Sequence, residues 1–147
     1  MLLGMLWAVI ALDLGHLALF AWAWPRLPEL IASHFDGAGV PNGWSSKAAF
    51  TGLSLAILAL VNLIYVGLPP WIAAANADLR VRLLWFGVMA LGFMLAISAL
   101  VVNVNLAAEP RLPGEIIWPL LGAYALFVVG WVAAAVRGAA LTRRRAE

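Results

Sequence analysis

Apolar residues in this 147-residue chain fall into four long runs separated by short polar stretches. The runs cover about residues 2–24, 48–68, 81–106 and 116–136. Each approaches or exceeds the roughly 20 residues that cross a hydrocarbon core about 30 Å thick at 1.5 Å per residue. In lipid every main-chain amide must be bonded inside its own segment, so runs of this length predict helices. The expected fold is an all-α integral membrane protein. It is read as one four-transmembrane-helix bundle spanning residues 1–147, with a polar loop at 25–47.

Composition agrees with that pattern. Of the residues 65% are hydrophobic and only 11% charged, against about a quarter charged in an ordinary soluble domain. A chain this short has no interior large enough to bury so much apolar surface away from water. The first run is not read as a cleaved signal peptide. It has no basic stretch before it, it is too long, and Asp13 interrupts it. The absence of cysteine excludes disulfides, iron–sulfur clusters and thiolate chemistry.

Charge enters through sidedness. With four spans, both termini share a side with the connection between the second and third helices. That side would collect Arg80, Arg82, Arg137, Arg143, Arg144 and Arg145, while the other holds Arg26, Lys47 and Arg111. The bias predicts cytoplasmic termini, so that 25–47 and 107–115 face outward. Basic residues beside an apolar run read as a topology signal and an anionic-lipid anchor, and no nucleic-acid partner is expected. Trp22, Trp24, Trp44, Trp71 and Trp118 fall at predicted helix ends, where an amphipathic ring favours the headgroup layer.

The stretch 24–47 is the most distinctive part of the chain. Pro28 is placed to open a short helix, and Leu27, Ile31 and Phe35 recur at helical spacing, giving an apolar edge expected to lie on the membrane surface. Asp36-Gly37-Ala38-Gly39 and Pro41-Asn42-Gly43 supply turn chemistry. Ser45 or Ser46 is available to cap the second helix, and Lys47 to reach headgroups.

This string resembles the outer-loop motif of a bacterial membrane family of unknown function, found in the N-terminal part of Sdp-type immunity proteins. The family pattern reads approximately Leu-Pro-x-x-Ile-Pro-x-His-Phe-Asn-x-x-Gly-x-Pro-Asp-Gly-Trp-x-Ser-Lys. Leu27, Pro28, Ile31, His34, Phe35, Gly39, Pro41, Gly43, Trp44, Ser46 and Lys47 fit it. Ala32, Asp36 and Asn42 depart from it, the last two exchanging an acid and an amide within one loop. The resemblance implies a multi-pass protein of a bacterial cytoplasmic membrane. It also implies an immunity-like or receptor-like role, since Sdp-type proteins protect cells against a secreted toxic peptide.

Polar residues inside the apolar runs are the other candidates. Asp13 and His16 lie three residues apart on one face of the first helix, near mid-membrane. An ionised carboxylate there costs about 3 kcal/mol or more, so it must be protonated, paired or turned inward. Two readings stand: a proton-relay or ligating pair, or a packing hydrogen bond with Asn62, Asn103 or Asn105. His34 and Asp36 are weak metal candidates that would need a third ligand such as Glu29, Glu109 or Glu115. No metal site, cofactor or enzymatic activity is expected, since nucleophile triads, phosphate-cradling loops and zinc-protease motifs are missing.

Three functions follow from these residues. The first is receptor-like or immunity-like binding of an extracellular peptide or envelope component through the 25–47 loop. The second is a non-catalytic accessory subunit of a larger membrane protein complex. The third is a proton-coupled transporter built on Asp13 and His16.

Overall fold

The computed structural model describes residues 2–72 and 76–144, with Ile72 and 139–144 as backbone only. It divides into two compact units, Met1–Leu112 and Pro113–Glu147. The chain is mostly helical. Four helices are long and apolar enough to cross a membrane, at Leu2–Ala23, Lys47–Trp71, Ala77–Leu106 and Gly114–Gly138. By that length and composition the chain is a multi-pass membrane protein.

In the first unit, α1 covers Leu2–Ala23 and is followed by a two-stranded antiparallel hairpin, β1 (Leu30–Phe35) and β2 (Pro41–Ser46). Helix α2 (Lys47–Asn62) starts where Ser46 takes an extended backbone and its Oγ accepts from the Ala49 N–H at 3.1 Å. A side-chain oxygen there satisfies one of the donors every helix start leaves unpaired. The helix widens into a π turn at Leu63–Gly67, closed by the Leu68 N–H on the Leu63 carbonyl at 2.8 Å. Tyr65 in this turn packs against Gly87, where an added Cβ would come within 2.7 Å of the Tyr65 Cβ. A short α3 (Pro69–Ile72) follows, its prolines at the start, where a missing N–H is tolerated.

The long α4 (Ala77–Leu106) begins four residues before the apolar run does. Asn76 extends it by accepting from the Leu79 N–H at 2.9 Å, and Asp78 in the first turn favours the positive end of the helix dipole. Two apolar clusters hold this unit together. Val9, Leu58 and Leu91 form one, with Leu12, Val61 and Met94 packed against it. Phe20, Ala23, Leu27, Ile31 and Val102 form the other, flanked by Leu19, Phe50 and Leu55. The second cluster joins α1, α4 and the hairpin.

The second unit is α5, Gly114–Arg144. The apolar run alone places Pro119 in the first turn, but the helix starts at Gly114, with Ile116 and Ile117 N–H groups on the Pro113 carbonyl. Pro119 therefore sits beyond the first turn, where it has no N–H to offer the Glu115 carbonyl. Arg145 and the side chains of Arg143 and Arg144, on which much of the sidedness argument rests, lie outside the described residues.

Candidate functional site, a clamped hairpin

The structure corrects the expectation for residues 28–35. Instead of a surface helix opened by Pro28, the chain turns after α1 and enters β1 at Leu30. Leu27 and Ile31 do share an environment, but it is the interior formed by Phe20, Ala23 and Val102 and not a membrane-facing edge. Helical spacing at three positions could not distinguish these arrangements, because the same residues also bracket a strand start.

Turn chemistry fixes the tip. The Asp36 Oδ1 accepts from the Ala38 and Val40 N–H groups, both at 2.9 Å, and the Asp36 N–H donates to the Val40 carbonyl at 2.9 Å. Both side-chain bonds need only an acceptor oxygen, which asparagine also has. That accounts for Asp36 standing where the resembling motif carries an amide. Gly39 has φ +78°, and a Cβ there would come within 2.1 Å of the Leu112 carbonyl oxygen. The Leu112 N–H in turn donates to the Gly39 carbonyl at 2.9 Å, tying the tip to the chain beyond α4. Gly43 pairs with His34 across the strands, and a Cβ would press on the His34 Cβ at 2.9 Å. The small residue gives the exposed imidazole its seat.

Asn105, at the end of α4, holds the hairpin from behind. Its Oδ1 accepts from the Ala32 N–H at 2.7 Å, and its Nδ2 donates to the Ala32 carbonyl at 2.9 Å. The same Nδ2 also reaches the Val101 carbonyl at 2.9 Å. A side-chain amide has the donor and acceptor of a peptide unit, so Asn105 caps the outer edge of β1 as a neighbouring strand would. Both Asn105 and Ala32 are buried, which makes these bonds expensive to lose.

At the hairpin base, Lys47 lies 2.8 Å from Glu29 and over the Trp24 ring at 5.2 Å, while its N–H donates to the Glu29 carbonyl at 3.0 Å. Arg26 stacks over Trp22 at 4.9 Å and bonds the Trp22 carbonyl. The motif residues thus divide. Leu27, Asp36, Gly39, Gly43, Ser46 and Lys47 build the hairpin, and His34, Asn42 and Trp44 are displayed on it. Pro28 precedes β1, and Phe35 is half-buried at its end.

The polar residues of the apolar runs form a separate arrangement. The Asn62 Nδ2 donates to the Asp13 Oδ1 at 3.0 Å and to the Leu58 carbonyl at 3.1 Å. His16 is buried with Nδ1 3.0 Å from the Leu12 carbonyl, and among the described residues no group bonds its Nε2. Asn103 is exposed and bonds the Ala99 carbonyl of its own helix at 2.7 Å. Of the three amides considered for Asp13, the structure pairs only Asn62 with it. Among the described residues no three His, Asp or Glu side chains gather to hold a metal ion, and the Asp36 Oδ1 accepts from the two turn N–H groups.

Residues 14–60 match a family described as Domain of unknown function (DUF1648). The match takes in the second half of α1, the whole hairpin and most of α2, roughly a third of the chain. No curated protein and no solved structure matches the chain. Asn105 and Leu112, which hold the hairpin from outside, fall beyond the matched residues. Sequence reasoning placed Asn105 between helices and missed its role. A hairpin signal was present, in turn residues between two short flanking segments, but nothing local connects it to position 105.

Proposed function

We propose that the chain is a non-catalytic membrane protein that recognises a peptide or envelope component through its hairpin, in the manner of an immunity or receptor protein. The observation that carries this reading is the over-determined hairpin. Asn105, Leu112, Ile31 and the Glu29–Lys47 pair all fix it, yet His34 and Trp44 are left exposed on it. A rigid scaffold that presents an aromatic and an imidazole side chain lowers the ordering cost of binding. The resemblance to the Sdp-type motif gives the reading its ligand class, and facing outward is part of the same proposal.

Its test is expression in a strain sensitive to secreted toxic peptides. The expected result is raised survival against at least one such peptide, lost on Trp44→Ala or His34→Ala with membrane abundance unchanged. Survival equal to the empty-vector control across a panel of peptides would overturn the reading. Purification with a stoichiometric set of larger membrane proteins would favour the accessory-subunit role instead.

A further inference from the structure

A two-stranded sheet has two outer edges, and here they are treated differently. Strand β1 has its outer edge closed by Asn105, which takes both the N–H and the carbonyl of Ala32. In an antiparallel ladder, opposed residues alternate between pairs that exchange both main-chain bonds and pairs whose groups point away from each other. Ala32 is of the second kind, so its partner Trp44 is too. The bond from the Lys47 N–H to the Glu29 carbonyl fixes the same alternation at the hairpin base, which turns the Ser46 N–H outward with Trp44. Among the described residues no protein group bonds the outward N–H or carbonyl of Trp44 or the outward N–H of Ser46. The Trp44 side chain, 54% exposed, stands beside them.

We infer that the outer edge of β2 is a docking edge for an extended peptide, which adds as a third strand by exchanging both main-chain bonds with Trp44. The chemistry selects this occupant. A donor and an acceptor on one residue, followed two residues on by another donor, match the spacing of an extended main chain. A lipid headgroup or a helical surface presents no such alternation. The Trp44 ring would lie along the added strand and supply apolar contact at the cross-strand position. Strand β2 carries few of the devices that block edge pairing, since its one proline, Pro41, is at its start and no charged residue lies within it. The inference rests on the recognition reading for its biological occupant and on the hairpin alone for its site.

The experiment uses the full chain in lipid nanodiscs, with main-chain amide exchange read residue by residue. Without peptide, Trp44 and Ser46 amides should exchange fast while Ser45 and Lys47 amides are protected. The probe is a short peptide alternating Thr and Val between terminal lysines. Its twin is N-methylated at every residue and so lacks main-chain donors on both edges. The unmodified peptide should slow Trp44 and Ser46 by roughly tenfold or more, and the twin should not. Slow exchange before peptide is added would overturn the inference, including protection that grows with protein concentration and so marks a second copy at the edge. No slowing by saturating peptide, or equal slowing by the twin, would overturn it too. Any of these failures leaves recognition through side chains standing. Loss of that broader reading is seen only in the survival assay with His34→Ala and Trp44→Ala.

Discussion

At the scale of single residues, Asn105 does the most that a simple reading of polarity would not suggest. An amide near the end of an apolar helix is ordinarily explained by bonds to its own helix or to a neighbour. Here one bond goes to the preceding turn and two reach a strand 73 positions away in the chain. Asn105→Ala should leave the Ala32 N–H and carbonyl buried and unpaired, at about 1–3 kcal/mol for each group. The expected outcome is faster amide exchange throughout β1 and a lower unfolding midpoint, with α1 and α2 amides far less affected. Uniform loss of protection across the helices would instead mean that Asn105 supports the fold as a whole. Asp36 teaches a complementary lesson. The two bonds made by its Oδ1 require only an acceptor, which an amide oxygen at that position would also supply.

At the scale of elements, the helices were legible, and the hairpin showed only in its turn residues. A run of about 20 apolar residues has one stable conformation in lipid, so existence and type followed from the pattern alone. Boundaries moved where polar residues act locally. Asn76 and Asp78 carry α4 past the apolar run, and Ser46 sets the first residue of α2. Residues 30–35 lie outside that constraint. Their conformation is decided by burial of Ile31 on Phe20 and Val102 and by the distant Asn105, neither visible in a local window. The Asp13–Asn62 bond joins α1 to α2 in the same non-local way. Asn62→Leu should lower the thermal midpoint in detergent by the equivalent of about 0.6–2 kcal/mol, because the carboxyl loses its partner. Asp13→Leu combined with Asn62→Leu should recover most of that loss, since neither polar group then needs satisfying. A double variant no better than the single one would show that Asp13 has a further role.

At the scale of the whole molecule, the natural absence of cysteine makes topology directly measurable. The hairpin follows the C-terminal end of α1, and residues 107–112 follow that of α4, joined to it by the Gly39–Leu112 bond. Asn76 lies at the other end of α4. Single cysteines at Ala38 and Glu109 should therefore react together with a membrane-impermeant maleimide applied to one face, and one at Asn76 only from the opposite face. Labelling of all three from the same face would contradict the crossing of α4. The wide exposure of apolar side chains such as Leu3, Trp7, Leu53 and Leu126 is what a lipid-facing surface requires, and it carries no further message about partners.

The clamp also imposes an order in time. Residues 30–46 leave the ribosome long before Asn105 and Leu112, which complete their bonding. Asn105 lies 73 positions after Ala32, so synthesis at roughly 5–20 residues per second leaves the young hairpin without its support for about 4–15 s. During that interval β1 has an open edge and Ile31 lacks the Val102 side of its pocket. The segment that matches the domain family is thus born before the part of the chain that stabilises it.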